Sequence, residues 1–323
     1  MLSTITGIPF WCVTIILAVI AFSYSRFSGI KASITTDVVQ LGIILSGCML
    51  IIPWLLSKAG GMETVFAGLG SINGNYTSLI SETGLAVFFG FGLPTAVGLI
   101  SGPFGDQCFW QRTFAIRKES LGKSYLLGAL LFALVPMSMS LVGFAAAGSG
   151  FIANDSSMVN MEFITSLLPS WVLAPFMMMV LSGLLSTVDS NLCAAASMTT
   201  DWQVTSKLGN KDSIRLSRRV MVALLIVSIL IANIPGLTVT HLFLFYGTLR
   251  ASTLMPTIFT LLGKKLNADG VFAGIIASLC IGLPIFAFGN IANIAMYKTI
   301  GSLMTVLLSG IIALICSNKA VSE

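Results

Sequence analysis

The sequence predicts an all-α protein that crosses a membrane about nine times, and three observations predict it. Apolar residues fill 56% of the 323 positions and charged residues 9%. Soluble domains carry charge at about a quarter of their positions, so this chain lacks the polar surface needed to face water. Apolar runs of about 18 to 22 residues recur from end to end, each long enough for a hydrocarbon core of about 30 Å. In lipid such runs must be helices, because only a helix satisfies its backbone hydrogen bonds within one segment.

Span one, at 5–24, has full crossing length, no basic residues ahead of it and no small-residue cleavage pattern, which favours a membrane helix over a secretory leader. Apolar length and flanking charge place the others at 37–56, 85–104, 125–144, 171–199, 220–234, 241–262, 271–288 and 299–316. The connections alternate in charge. Arg26, Lys31, Arg112, Arg117, Lys118, Lys123, Lys207, Lys211, Arg215, Arg218, Arg219, Lys264, Lys265 and Lys319 fall on one side, Lys58 and Lys298 on the other, and Arg250 within span seven. The positive-inside rule then puts the amino terminus outside the cell membrane and the carboxyl terminus in the cytoplasm. The same arrangement explains the net charge of +5 without a nucleic-acid partner.

Two outside connections, 59–84 and 149–170, are longer than the rest. The stretch DSSMVNMEFITSLLPS has the cap and spacing of a short helix lying along the membrane surface, a form that can act as a lid. No repeat or low-complexity linker divides the chain, so 1–323 reads as one membrane domain. Cys12, Cys48, Cys108, Cys193, Cys280 and Cys316 are scattered, with no C-x-x-C pair and no neighbouring histidine, and read as packing residues. His241 stands alone at the outer edge of span seven and is assigned no chemistry.

Chemistry concentrates in span five. Gly183, Ser186, Thr187 and Ser190 fall at i, i+3, i+4 and i+7 and share one helix face, with Asp189 beside it, so oxygens converge within about one turn of 5.4 Å. Sodium, a hard cation, takes oxygen ligands of this kind. Hydroxyls and glycine also serve plain helix packing in membranes. An acid near mid-membrane is costly, and it turns the reading toward an ion site. Asp37 opens span two and either caps that helix or, if spans two and five are neighbours, approaches Asp189 with a proton or cation between them.

Span three carries Gly90, Gly92, Pro94, Gly98, Gly102 and Pro103, too many breakers for a straight helix. A discontinuous helix is expected there, exposing backbone dipoles to substrate around Phe91, Gly92, Pro94 and Thr95, or else serving as a kink for close packing. Arg250 needs a partner, which Asp189, backbone carbonyls or an anionic substrate could supply. A structural salt bridge is the preferred reading.

Four stretches carry a resemblance. FSGIKASITTDVVQ, DQCFWQRTFAIRK, LSTVDSNLCAAASMTTDW and GKKLNADGVFAG resemble, in order and spacing, motifs of the sodium/solute symporter family, which includes sodium-coupled sugar, proline, pantothenate and urea transporters. The resemblance implies a LeuT-type fold of two inverted five-helix repeats with ion and substrate sites between them. Residues 1–58 match the last two helices of the first repeat, 85–262 the whole second repeat, and 263–323 two peripheral helices and a short cytoplasmic tail. It assigns Ser186, Thr187 and the Gly183 carbonyl to a core sodium site. Asp189, Ser190 and Asp37 match a second cation site, in which an acid at Asp189 leaves open whether the occupant is sodium, a proton or Arg250. The family's broken first helix has no match, so the chain reads as amino-terminally truncated, with the missing helices of the same gene product as partners and no transport without them.

The function expected is sodium-coupled symport of a small polar organic solute by alternating access. The alternatives are a proton-coupled symporter, or a symporter-fold sensor or interaction module that does not transport. An enzyme would want a nucleophile with a base or a metal cluster, and the sequence offers neither.

Overall fold

The computed structural model describes residues 2–72, 78, 80–201 and 210–322, and every regular element among them is helical. In chain order these are α1 Leu2–Thr6, α2 Phe10–Lys58, α3 Met62–Ala67, α4 Glu82–Val87, α5 Leu93–Gly105, α6 Gln107–Ala115, α7 Leu121–Gly148, α8 Val159–Leu167, α9 Leu173–Asp201, α10 Asn210–Ala232, α11 Val239–Ala251, α12 Leu254–Leu261, α13 Ala268–Ile291 and α14 Ala295–Ser322, with short 3-10 and π segments between some of them. Lys207 and part of the 59–84 connection lie outside the described residues.

Six helices are long and apolar enough to cross a membrane: Ile30–Lys58, Glu82–Gly105, Lys118–Gly148, Ser170–Thr199, Ala268–Ile291 and Ala295–Ser317, with the shorter apolar helix Phe10–Arg26 before them. The protein is an all-α, multi-pass membrane protein. Expected span six falls on α10. Expected span seven is interrupted, as α11 and α12 are separated by a turn at Ser252 and Thr253. Both hydroxyls there donate back to carbonyls one turn earlier, to Leu249 O and Arg250 O at 2.8 Å, and such bonds compete with the helical ladder. Pro256 follows in the first turn of α12, where a missing N–H costs nothing.

Contacts divide the chain into two units, residues 1–77 with 113–234 and residues 78–112 with 235–323. In the first, the expected spans one and two form one helical run, α2. Ser25 and Asp37 of that run both reach α9 within a single turn, Ser25 at Asp189 and Asp37 at Ser186. α2, α7, α8 and α9 pack around Leu55, Val142, Phe163, Ile164 and Phe176; because lipid tails are as apolar as these side chains, it is close packing that holds the helices together. The short helix expected along the membrane surface is present as α8, whose Met161, Phe163 and Ile164 pack into this core, while Glu162 accepts from the Asn154 and Asp155 backbone N–H groups and closes the preceding loop.

In the second unit, α5 and α11 cross where glycine faces glycine: a Cβ on Gly98 would sit 2.8 Å from the Gly247 Cα. The discontinuity expected in span three is a single π-turn, Phe88–Gly92, between α4 and α5. Its cause can be read from the chain. Leu93 N–H bonds Phe88 O, one residue beyond the α-helical acceptor, which deprives Phe89 O of its α-helical donor. The next residue, Pro94, has no N–H to offer. Thr299 of α14 supplies the missing donor, with Oγ1 2.6 Å from Phe89 O.

Candidate ion-coupling site

The polar turn of α9 is built by hydroxyls that spend their protons locally. Thr187 Oγ1 donates to Gly183 O at 2.9 Å and Ser190 Oγ to Ser186 O at 2.7 Å. Ser186 Oγ donates across to Asp37 Oδ1 at 2.5 Å. With these protons engaged, the hydroxyls retain lone pairs suited to a hard cation, while the Gly183 and Ser186 carbonyls each already accept a helical N–H and a hydroxyl. Exposure grades along the turn: Thr187 is exposed, Gly183 and Ser186 are half-buried, and Ser190 is buried.

Asp189 is wholly buried, at 0% exposure. Its Oδ1 accepts from Ser25 Oγ and, at 3.7 Å, from Cys193 Sγ, while Oδ2 has no partner at all. An ionised carboxylate in this position is tolerated only with a compensating charge, and the described residues place no lysine or arginine against it. A cation at Oδ2, or a proton on the carboxyl, completes the accounting. The donor set fits a bare alkali cation: one carboxylate and hydroxyl lone pairs, with no thiolate or imidazole cluster among the described residues.

Asp37 of α2 therefore meets α9 through Ser186, and Asp189 of α9 meets α2 through Ser25. The Tyr24 hydroxyl lies within electrostatic reach of both carboxylates and donates to Leu185 O at 3.3 Å. Ser25 and Tyr24 were not singled out from sequence. Their signal is faint, a hydroxyl and a phenol in SYSRFS at the end of an apolar run. Gln40, one helical turn past Asp37, also keeps a buried Oε1 without a partner.

The second unit holds the residues expected near substrate. Phe91 is exposed and Gly92 closes the π-turn. Pro94 is buried, and Thr95 Oγ1 is buried without a hydrogen-bond partner. Arg250 finds its partners within this unit. Nε donates to Gly98 O at 2.7 Å, Nη1 lies 3.8 Å from Asp106 Oδ2, and the guanidinium sits 4.9 Å from the Tyr246 ring centroid. Tyr246 donates to the same Asp106 oxygen at 2.7 Å, and Asp106 Oδ1 caps α6 by accepting Cys108 N–H at 2.9 Å. Of the partners weighed for Arg250, a backbone carbonyl and a salt bridge are present, the latter to Asp106, which sequence reading left unnamed although it heads DQCFWQRTFAIRK. A carboxylate just ahead of a helix, free to cap it, was the available cue.

The family model described as "Sodium:solute symporter family" matches residues 1–278. The chain belongs to the sodium:solute symporter family. Among curated relatives of the chain, the urea-proton symporter of Oryza sativa subsp. japonica is 22% identical over 98% of the chain and 50% of its own length. The sodium/glucose cotransporter of Vibrio parahaemolyticus is 26% identical over 87% of the chain and 58% of its own length. The sodium/pantothenate symporter of Haemophilus influenzae is 22% identical over 99% and 66%. The chain thus spans one half to two thirds of the length of these relatives. No solved structure matches it. The family and these relatives are transporters, not enzymes.

Proposed function

We propose that this chain carries the ion-coupling machinery of a symporter in which inward sodium movement drives a small polar organic solute by alternating access. Asp189 is the observation that carries the reading. A fully buried carboxyl with one oxygen unpartnered shares a helical turn with hydroxyls whose protons are already engaged. Ser186, Thr187 and the Gly183 carbonyl form the core sodium half-site in this reading, and Asp189, Ser190 and Asp37 a second cation position. Solute lies against the π-turn at Phe91, Gly92, Pro94 and Thr95. Residues 1–58 and 85–262 belong to two inverted repeats of a LeuT-type fold, with the amino terminus outside and the carboxyl terminus in the cytoplasm. Transport is proposed for a polypeptide of the relatives' length.

Binding of radioactive sodium to the purified chain tests the cation position: saturable binding is expected, and it should be lost in Asp189→Asn. Unchanged binding in that variant removes Asp189 from the site. Uptake of amino acids, sugars, urea and carboxylates under a sodium gradient then identifies the solute.

One observation favours a second reading, coupling to protons. Ser25 has a single hydroxyl proton yet faces two acceptors, Ala21 O at 2.7 Å and Asp189 Oδ1. A proton on Asp189 would complete that chain, with the carboxyl donating to Ser25 and Ser25 to Ala21 O. Solute uptake driven by a pH gradient in sodium-free vesicles would select this reading.

A further inference from the structure

α10 opens with charge, in Asp212, Arg215, Arg218 and Arg219, and runs on into an apolar stretch. Where the two meet, an open cavity of about 340 Å³ lies between α10 and the first half of α2, lined by Phe22, Arg218, Arg219, Val222, Ala223 and Ile226. An adjoining face of α10 packs Met221 and Leu225 against Ala21 and Leu192. Val222 and Ile226 are left 40% and 53% exposed, so this side of α10 is greasy and uncovered.

The arginines at its mouth are unequally engaged. Arg215 pairs with Asp212 at 3.2 Å. Arg218 has one long contact, Nη2 donating to Arg26 O at 3.4 Å, and Arg219 has no hydrogen bond or ion pair among the described residues. The Arg26 guanidinium lies 5.8 Å from the Phe22 ring centroid, adding positive charge at the same edge. Two guanidinium groups, at the head of an apolar groove on a membrane protein, match one ligand chemistry: a phosphate esterified to an acyl glycerol. The fork of arginine donors suits phosphate oxygens, and basic pockets between membrane helices recruit anionic headgroups. The distance from Arg219 to Ile226 is about 10 Å along the helix, enough for the first methylenes of one acyl chain.

We propose that this groove binds an anionic phospholipid, with its phosphate on Arg218 and Arg219 and one acyl chain along Val222, Ala223 and Ile226 against Phe22. Phe22 is three residues from Ser25, so the bound lipid braces the helix segment that supplies Asp189 with its hydroxyl partner. A choline headgroup is disfavoured because its ammonium would face Arg26.

The full chain in nanodiscs of phosphatidylcholine with a minor share of phosphatidylglycerol tests this, by native mass spectrometry of the lipid retained. Preferential retention of phosphatidylglycerol is expected. The double variant Arg218→Gln/Arg219→Gln should lower that preference about thirtyfold, equivalent to two headgroup contacts of about 1 kcal/mol each. Arg215→Gln removes equal charge from the same helix outside the groove and should leave the preference unchanged. Ile226→Trp fills the groove without changing charge and should lower retention. Equal preference in wild type and the double variant, or an equal fall in Arg215→Gln, overturns the proposal. So does displacement of the lipid by millimolar inorganic phosphate, which would show that the apolar wall takes no part.

Discussion

Replacing Ser25 by alanine probes the Asp189 environment most directly. The substitution removes one hydroxyl and leaves the α2 backbone as it is. Asp189 Oδ1 then loses its oxygen donor and keeps the Cys193 thiol at 3.7 Å, while Oδ2 is already without a partner. A hydrogen bond to a charged group contributes about 1.5–3 kcal/mol and one between neutral groups about 0.5–1.5 kcal/mol, so a loss of about 2 kcal/mol is expected. Reversible unfolding of the purified chain in mixed micelles, with sodium and with choline in its place, measures it. If sodium takes up coordination of Asp189, it should restore part of the loss, since a ligand at a hundredfold its Kd stabilises by about 2.7 kcal/mol. The same substitution in an Asp189→Asn background closes a double-mutant cycle, and a coupling of about 1 kcal/mol or more is expected for groups in direct contact. A loss below about 0.5 kcal/mol for Ser25→Ala, with no coupling to Asp189→Asn, would refute the argument that Ser25 holds this carboxyl.

Further substitutions test other contacts. Asp106→Ala should destabilise by about 3–5 kcal/mol, because it strands Arg250 and uncaps α6, whereas Asp106→Asn keeps the cap and should cost less; the order of the two in the same unfolding assay is the check. Gly98→Ala forces a methyl group to within 2.8 Å of Gly247 Cα, and a cost of about 1–3 kcal/mol is expected from overpacking. Thr299→Val leaves Phe89 O without a donor and should cost about 1–3 kcal/mol, with faster amide exchange around the π-turn. In the loop before α8, the Ser157 hydroxyl and N–H hold the exposed Asp155 carboxyl below the usual carboxylate range. The carboxylate form therefore favours the folded loop above the unfolded pKa, and that contribution fades as pH falls through the lowered folded value. NMR titration of Asp155 should show the depression, and Ser157→Ala should bring it back toward the usual range.

The long apolar helices were legible because lipid leaves so few options: an apolar run of crossing length must be a helix whatever its neighbours. The serine and threonine ladder of α9 was legible for a related reason, since helical spacing alone sets which residues share a turn. What reached Asp189 from elsewhere was not legible. Ser25 lies 164 positions from Asp189, and spacing within either helix says nothing about which helices pack together. α8 was legible from its cap and spacing, but what its apolar face meets was not, because Phe163 and Ile164 pack against side chains distant in sequence such as Leu55 and Val142. In span three the breakers were visible, but whether glycine and proline unwind a helix or add one residue to a turn depends on whether a neighbour satisfies the freed carbonyl. That neighbour, Thr299, lies 210 positions away.

The π-turn in span three is, in counting terms, one residue too many. Removing a single residue from Phe88–Gly92 would let α4 run into α5 as uninterrupted α-helix, and because the wider turn already absorbs the extra residue, the flanks on either side would keep the facing they have now. Elsewhere in a membrane span the same deletion would rotate one flank by about 100° and shift it by about 1.5 Å relative to the other. Here Glu82 through Val87 would go on presenting the same flank to their neighbours, and what would disappear is the freed carbonyl that Thr299 meets.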